Sequence, residues 1–295
     1  MIEASILIVS KDRRLELEKT ISILETFINK DKCELLVFLD GCRDDSIDLK
    51  EKYPWVLWKV SGKNIGASKA RNKLYKQASG EILIGLDDDA HPLQENFIEE
   101  VKGVFKRNEK IGVIAFKEIR GVFKSNKDAL NENIEEQEYL CNEFVGCGFA
   151  IKKTVYNSTK GFPIWMDIYG EETCVSIEVI NKGYDILYTS AISVNHRVDS
   201  NLRKKQGNNY FRFGRQLRNS GFYFLVYYKY PLKSILKLFV NNFIKYAILD
   251  LNFFKTYLVT VFVFLIKFPK ILLNHRQPVT NDTLKKKRAL PLPGK

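Results

Sequence analysis

Short aliphatic runs alternate with amphipathic segments through the first part of the chain. The runs have the length of strands, and the segments between them repeat apolar residues at helical spacing. Strands are predicted at Ser5–Ser10, Glu34–Leu39, Val56–Val60, Ile82–Leu86 and Ile111–Phe116. Helices are predicted at Leu15–Phe27, Ser46–Lys52, Ala67–Gln77 and Leu93–Lys106. This alternation is typical of an α/β fold with a mainly parallel, Rossmann-like sheet flanked by helices.

Polar residues follow three of these strands. They occupy positions 10–13, 40–46 and 87–89, and the last group is three consecutive aspartates. In parallel sheets the carboxyl ends of the strands meet in one crevice, where ligands bind. Three adjacent carboxylates repel one another and supply the oxygen ligands that Mg²⁺ or Mn²⁺ prefers. A metal site is therefore one interpretation of Asp87–Asp89, and a solvated acidic turn is the other.

Two positions on the same side of the predicted sheet have a structural and a functional interpretation. Asp40 ends a strand, where a carboxylate accepts hydrogen bonds from a base or ribose, although many strands end in aspartate. Residues 64–72 read as a loop that leads into a helix, with Gly66 allowing close backbone approach. Lys69 and Arg71 offer donors to phosphate oxygens there, and an ordinary helix start explains the same pattern.

The second half of the chain adds a pair of acids and a histidine. Residues 119–136 are polar and predict a mobile loop, and a Gly-rich strand follows at 146–151. Glu171 and Glu172 begin a helix that runs to about Asn181. Acidic residues at a helix start are stabilised by the helix dipole, and one of them could instead act as a general base. His196 ends the apolar segment that follows this helix. It is interpreted either as a core histidine or as a ligand to a metal that carboxylates already hold.

Charge divides the chain into two parts. The net charge is +12, but residues 196–295 hold 20 Lys and Arg against 3 Asp and Glu, so that part carries +17 and the rest −5. We therefore predict a catalytic domain over residues 1–200 and a basic, aromatic helical extension over residues 201–295. The five cysteines are odd in number and scattered, which favours free thiols in the cytosol.

The basic extension contains an amphipathic helix, predicted at Leu232–Ile248, and an uncharged aromatic segment, Thr256–Ile266. The second segment has eleven residues, fewer than the ~20 that span a bilayer. Lysines flank both segments, and this pattern favours the headgroup layer of an anionic membrane. The alternative is packing against the catalytic domain or a second subunit as a homo-oligomer, and nucleic-acid binding is the least favoured option.

Six motifs in this order resemble the family 2 glycosyltransferases, which are inverting enzymes with the GT-A fold. They lie at 6–13, 38–46, 64–72, 86–90, 146–150 and 169–173, so the resemblance covers about Ile2 to Arg197. Each motif is weak by itself, whereas their order and spacing together are specific. The resemblance implies sugar transfer from a nucleoside diphosphate to a hydroxyl group, with Mg²⁺ or Mn²⁺ as cofactor.

The resemblance also assigns roles by position. Ser10, Asp40, Asn64, Arg71, Asp87 and Asp88 would bind the nucleotide sugar; Asp87, Asp89 and His196 would bind the metal; Glu172, or as second choice Glu171, would be the base. Asp87 and Asp89 match the Asp-x-Asp motif of the family, and which of the three aspartates contacts the metal directly is left open. The family pair is usually Glu-Asp and here reads Glu-Glu, which leaves the geometry of the base open.

The implied partners are a UDP- or dTDP-sugar and a glycan or lipid-linked acceptor of cell-surface polysaccharide synthesis. We expect a cytoplasmic enzyme, peripheral at the inner face of the cell membrane, without nucleic acid. A nucleotidyltransferase would need a Gly-rich loop after the first strand, and Ser10–Arg14 has no glycine. A nucleic-acid-binding protein would need basic residues beside the pocket, which is acidic here. An inactive scaffold is disfavoured by the intact acidic motifs.

Overall fold

The computed structural model describes residues 1–131, 136–198 and 209–294. Its strands are β1 Ala4–Ser10, β2 Cys33–Asp40, β3 Leu57–Ser61, β4 Ile82–Asp87, β5 Ala90–Pro92, β6 Ile111–Arg120, β7 Glu138–Cys141, β8 Gly148–Lys152 and β9 Asp185–His196. The helices among them are α1 Arg14–Phe27, α2 Leu49–Lys52, α3 Ala67–Tyr75, α4 Phe97–Arg107, α5 Asn126–Leu130, α6 Lys153–Ser158 and α7 Glu171–Asn181.

All of these strands join one mixed sheet in the order β3-β2-β1-β4-β8-β6-β9-β5, with β7 also paired to β9. The two longest ladders, β1–β2 and β6–β9, are parallel, while β8 runs antiparallel to both β4 and β6. Apolar side chains alternate across the sheet: Ile6 and Ile8 pack against α1 and α4, and Leu7 packs against α3 and α7. The predicted α/β class with helices on both faces is confirmed.

The basic extension forms a helical layer. Its helices are α8 Tyr210–Tyr227, α9 Leu232–Asn242 with a π-helical turn at Phe243–Ala247, α10 Leu251–His275 and α11 Asn281–Ala289. Buried residues of α8 share an apolar cluster with Cys174 and Ile177 of α7. Where α8 and α10 cross, a Cβ at Gly221 would lie 2.8 Å from the Phe264 ring, so glycine permits the close approach. The extension is thereby packed directly on the catalytic domain.

Several predicted boundaries were wrong. The short strands β5 and β7 were missed, and the apolar segment that ends at His196 is the end of the long strand β9. The predicted loop at 119–136 contains the end of β6 and α5, and its residues 132–135 lie outside the described residues. The predicted domain boundary at 200/201 also lies outside them.

The longest helix was underestimated from the sequence. The uncharged segment Thr256–Ile266 lies inside α10, which extends over 25 residues because Lys255, Lys267 and Lys270 are helical as well. Among the described residues, α10 is the helix whose length and mean hydropathy of 1.8 would permit a membrane crossing. Thr260, Phe264 and Ile271 form its buried face toward the rest of the extension. The length of α10 therefore permits it to cross a membrane. Its buried face, packed against α8, equally suits a helix that lies on the surface of the protein.

The consecutive basic residues 285–288 make contacts that stabilise the position of α11. Lys286 Nζ lies 2.5 Å from Asp185 Oδ1, and Lys287 Nζ donates to the carbonyl oxygen of Asn142 at 2.6 Å. The Arg288 guanidinium lies over the Tyr228 ring at 5.6 Å. Three of the four basic residues at 285–288 therefore hold α11 against the rest of the protein, and they do not contribute to a free cationic surface.

Candidate functional site

One cleft of about 680 Å³ opens at the carboxyl ends of β1, β2 and β4. All the candidate residues line it: Ser10, Asp40, Asn64, Arg71, Asp87, Asp88, Asp89, Glu171, Glu172 and His196. They come from six separate stretches of sequence, and the sheet contributes to bringing them together because β1, β2 and β4 are neighbours in parallel register. The structure thus assembles the predicted set as a single site.

The three aspartates point in different directions. Asp88 is buried and accepts a hydrogen bond from Ser10 Oγ at 2.7 Å, so its carboxylate faces the floor of the cleft. Asp87 and Asp89 face His196, and the ligand atoms of these three residues lie within 4.8 Å of one another. Asp89 Oδ1 is 3.3 Å from His196 Nε2. The first and third aspartates with the histidine therefore form a group of the size that a metal ion requires.

His196 reaches this group because β9 pairs with β5, which places it opposite Ala90 directly after the aspartates. Its other ring nitrogen, Nδ1, lies 2.5 Å from Glu118 Oε1. Burial lowers the pKa of His196, but hydrogen bonds with Asp89 and Glu118 outweigh it and raise the pKa to about 9. A carboxylate on the far nitrogen is the usual support of a metal-binding histidine. No pattern near His196 in the sequence points to Glu118, which lies 78 residues away.

Arg13 was likewise not predicted from the sequence to be part of the site. Its guanidinium contacts Asp89 Oδ2 at 2.6 Å and Asp88 Oδ1 at 3.4 Å. The protein thus supplies a cation of its own to the acidic cluster, so the repulsion between the aspartates is not by itself evidence for a metal. The case for a metal depends instead on the convergence of Asp87, Asp89 and His196.

Arg71 occupies the centre of the cleft and links its two acidic sides. One guanidinium nitrogen donates to Asp87 Oδ1 at 2.6 Å and the other to Glu172 Oε1 at 2.7 Å. Its side chain is 9% exposed. A Cβ at Gly146 would lie 2.3 Å from Glu172 Oε1 and 2.8 Å from Arg71. The resemblance implies that Arg71 supports the donor phosphates or orders the loop around them, and that role stays a prediction. In the structure Arg71 fixes two carboxylates relative to each other.

The two glutamates at the start of α7 differ in access. The Glu172 side chain is 20% exposed and the Glu171 side chain 4%. Burial and the neighbouring Glu172 raise the pKa of Glu171 to about 8, and its Oε2 has no hydrogen-bond partner. Burial also raises the pKa of Glu172, with Arg71 acting in the opposite direction. Glu172 is therefore the more accessible proton acceptor, and burial favours the protonated form of Glu171.

Asp40 was predicted to contact a base or ribose, and in the structure it contacts a neighbouring loop of the protein. Its two carboxylate oxygens accept hydrogen bonds from the backbone amides of Ile65 and Gly66, at 2.7 and 2.9 Å. Gly66 has a φ of +93°, and a Cβ there would lie 2.9 Å from Asp167 Cα. The carboxylate therefore orders the loop that carries Asn64 along the edge of the cleft.

The extension forms one wall of the cleft through Phe211 and Arg215. Asp167, four residues before Glu171, contacts Arg215 at 2.6 Å and Arg218 at 2.5 Å. Asn219 donates to the carbonyl oxygen of Tyr169 at 3.0 Å, and Tyr169 has a φ of +73°. The α8 helix therefore holds a strained turn immediately before the candidate base. The predicted catalytic domain, residues 1–200, does not complete the cleft by itself.

Comparison with known proteins decides the family. The profile of glycosyl transferase family 2 matches residues 5–158, which is more than half of the chain. The chain belongs to this family. An uncharacterized protein of Haemophilus influenzae is 31% identical over 180 residues, which is 54% of this chain and 92% of that protein.

Solved structures agree with this assignment at the level of the fold. S. aureus TarS 1-349 in complex with UDP-GlcNAc matches 90% of this chain and 81% of its own, with 16% identity and a TM-score of 0.59. The mannosyltransferase PcManGT from Pyrobaculum calidifontis, in complex with GDP-Man and Mn²⁺, matches 97% of this chain and 74% of its own, with 15% identity and a TM-score of 0.56.

Not all of each relative is matched. The chain spans 60% of TarS 1-349 in another crystal structure of that fragment and 40% of the chain in a crystal structure of TarS. The family membership and the GT-A fold are thus established.

Proposed function

We propose that this glycosyltransferase is a metal-dependent, inverting enzyme that moves a sugar from a nucleoside diphosphate to a hydroxyl group of a glycan or lipid-linked acceptor. The observation that carries the proposal is the arrangement of the cleft. Asp87, Asp89 and His196 converge on one side, Glu172 faces the other, and Arg71 connects the two. Separate sites for a leaving group and for a base are what a single displacement requires.

The donor set suits Mg²⁺ or Mn²⁺. Two carboxylates and an imidazole with open positions are typical ligands for these ions when substrate phosphates supply the rest. When bound, such an ion would stabilise the negative charge of the departing diphosphate. His196 would bind as the neutral imidazole, giving up the proton that Asp89 and Glu118 stabilise in its absence. The Mn²⁺ bound with GDP-Man in PcManGT is consistent with this proposal.

Glu172 would accept the proton of the incoming hydroxyl as that oxygen attacks the anomeric carbon. Arg71 holds its Oε1, which leaves Oε2 as the atom that takes the proton. One base is sufficient because a diphosphate stabilised by charge leaves without an acid. Attack from the face opposite to the leaving group inverts the configuration at the anomeric carbon.

The donor we propose is a UDP- or dTDP-sugar, with Ser10, Asp40, Asn64 and Asp88 at the nucleotide end of the cleft. Isothermal calorimetry with UDP, dTDP and GDP, each with Mn²⁺ or Mg²⁺ and then with EDTA, tests this. We expect UDP or dTDP to bind only when the metal is present. Failure of a folded sample to bind any of the nucleotides would contradict the proposed function.

We further propose that the extension binds the cytoplasmic face of the cell membrane, as a peripheral enzyme of cell-surface polysaccharide synthesis. The supporting observation is an outward apolar surface on α9 and α10, with side chains that are 45–81% exposed: Leu232, Leu236, Val240, Leu258, Val259, Phe262, Leu265, Ile266 and Leu273. Exposed lysines adjoin it along both helices. An apolar surface with a basic border fits the interface of an anionic bilayer.

Replacing Lys233, Lys237, Lys245 and Lys255 together by glutamine is expected to weaken binding to phosphatidylglycerol vesicles at least ~10-fold, since each lysine near such a surface contributes about 1 kcal/mol. Vesicle sedimentation measures this. The matched control replaces four exposed lysines of the catalytic domain: Lys50, Lys59, Lys63 and Lys76. Equal loss in both variants, or no binding by the unaltered protein, would contradict the membrane proposal.

A further inference from the structure

A buried amide of the extension binds the turn that leads into α7. Asn219 lies on α8 and is 2% exposed. Its Nδ2 donates to the carbonyl oxygen of Ile168 at 2.8 Å and to that of Tyr169 at 3.0 Å. Its Oδ1 accepts from Arg218 Nε at 3.2 Å and from Arg218 Nη2 at 3.1 Å. Both hydrogens of the amide group are therefore given to the turn, and its oxygen faces a guanidinium.

These contacts require the chemistry of asparagine. A guanidinium only donates and a backbone carbonyl only accepts, so the side chain between them must offer an acceptor on one side and two donors on the other. Arg218 is itself fixed in place, because its Nη2 donates to Asp167 Oδ1 at 2.5 Å. Aspartate has the same shape but lacks the donors, and it would place a carboxylate oxygen against the two carbonyl oxygens.

The backbone of the turn adopts a conformation that needs support. Tyr169 has a φ of +73° and Gly170 a φ of +101°. A tyrosine in the left-handed region is strained, and such residues persist where the surrounding structure fixes them. Gly170 is the N-cap of α7 and has no side chain with which to cap the helix. The contacts of Asn219 therefore fix the backbone directly before α7 begins.

The position of this turn decides where the Glu172 carboxylate lies. Glu172 is the second residue of α7 and follows Tyr169 by three positions. From α3, the Ser68 amide donates to the carbonyl oxygen of Asp167 at 2.9 Å. Arg71 of the same helix donates to Glu172 Oε1 at 2.7 Å. Thus α3 holds the carboxylate, and α8 holds the backbone that carries it.

Attachment of the extension to the catalytic domain does not explain the contacts of Asn219. Buried residues of α8 already share an apolar cluster with Cys174 and Ile177 of α7. Tyr227, the last residue of α8, also donates its hydroxyl to Glu178 Oε1 at 2.6 Å. The two helices are therefore joined by other contacts, whereas both donors of Asn219 go to the turn.

We propose that Asn219 is a positioning residue for the base. By holding the carbonyl oxygens of Ile168 and Tyr169, it sets the place of Glu172 relative to the incoming hydroxyl. This inference rests on the proposed function, because it takes Glu172 as the base. It makes the helical extension a part that the catalytic centre requires, in addition to its proposed role at the membrane.

Asn219→Asp tests this proposal, and Asn242→Asp is its matched control. Asn242 lies on α9, donates its Nδ2 to the carbonyl oxygen of Leu238 at 2.9 Å, and is not among the residues that line the cleft. Amide hydrogen exchange of the protein without nucleotide, followed by mass spectrometry, reports the order of the turn. We expect residues 168–173 to exchange at least ~10-fold faster in Asn219→Asp than in the control, because two hydrogen bonds are lost.

The rate of nucleoside diphosphate release is measured on the same variants. The donor is whichever of UDP-glucose, UDP-GlcNAc or dTDP-glucose the unaltered protein hydrolyses fastest. We expect kcat to fall about 10–100-fold in Asn219→Asp, because a displacement of ~1 Å in a reacting group costs that much. The affinity for UDP with Mn²⁺ should not change, because Asp87, Asp89 and His196 belong to other elements of the fold.

A pair of double variants separates positioning of the turn from general damage. In the Asn219→Asp background, Tyr169→Gly and Tyr169→Ala both remove the tyrosine ring, but glycine adopts a φ of +73° without strain. We expect the glycine variant to be the faster of the two, because its turn keeps the left-handed conformation without the support of Asn219. Equal rates would overturn the proposal.

The other outcomes are equally decisive. Equal exchange of residues 168–173 in Asn219→Asp and Asn242→Asp would overturn the proposal, as would faster exchange with an unchanged kcat. Loss of UDP binding in Asn219→Asp would overturn it too, because the effect would then extend to the donor. A rate in the unaltered protein no higher than that of Glu172→Gln would instead contradict the proposed function and leave the exchange result standing.

Discussion

Glu172→Gln is expected to lower the rate of sugar transfer about 10²–10⁴-fold, the range usually lost with a general base. The amide keeps the shape of the side chain and can still accept from Arg71, so the cleft should retain its geometry. What is lost is the ability to take a proton. Release of nucleoside diphosphate in the absence of acceptor, which reports transfer to water, measures the rate without knowledge of the acceptor.

Glu171→Gln is the matched comparison. Because burial raises the pKa of Glu171 and so favours its protonated form, glutamine resembles the form that burial favours. We expect a change in rate of less than ~10-fold, well below the loss of a general base. The reverse ranking of the two variants would make Glu171 the base and contradict our assignment.

The same assignment fixes the direction of the pH dependence. Burial raises the pKa of Glu172 above the usual range of a glutamic acid, so its carboxylate is lost on acidification at a higher pH than for an exposed glutamate. The rate of nucleoside diphosphate release should therefore fall as the pH drops through that raised pKa.

Asp89→Ala is expected to weaken metal-dependent nucleotide binding by at least ~100-fold, because even residues that only support a ligand contribute about 10–100-fold to metal affinity. Asp89 contacts both His196 and Arg13. Its removal takes away one proposed ligand and the partner that orients a second. Calorimetry with UDP and Mn²⁺ gives the affinity, and thermal denaturation shows whether the variant is folded.

Asp45→Asn serves as the control for this loss. Asp45 is an exposed carboxylate that follows β2 at the same edge of the sheet and is not among the residues that line the cleft. It should bind nucleotide and metal as the unaltered protein does. Retention of metal-dependent binding in Asp89→Ala would show that the metal does not use the Asp-x-Asp pair.

Local pattern alone determined which residues would reach the cleft. A buried strand that ends in polar residues must present them at the edge of its sheet, and β1, β2 and β4 do so with Ser10, Asp40 and Asp87. The order of the motifs identified the family for the same reason, because each motif is read within a few residues. These features needed no knowledge of which distant segments pair.

The partners within the site depended on tertiary structure. Arg71 and Glu172 are 101 residues apart, and no pattern near Arg71 shows that it would bridge two carboxylates. Glu118 reaches His196 only because β6 and β9 are parallel neighbours. Arg13 and Arg215 likewise take their partners from other elements.

The extension shows the same division. Its amphipathic spacing and its net positive charge were legible in the sequence. Which apolar face of α10 would be covered by α8, and which lysines of the last helix would be used in ion pairs, followed only from the packing of helices. Short-range periodicity fixes what each segment can bury, and contacts between segments far apart in the chain decide what each side chain meets.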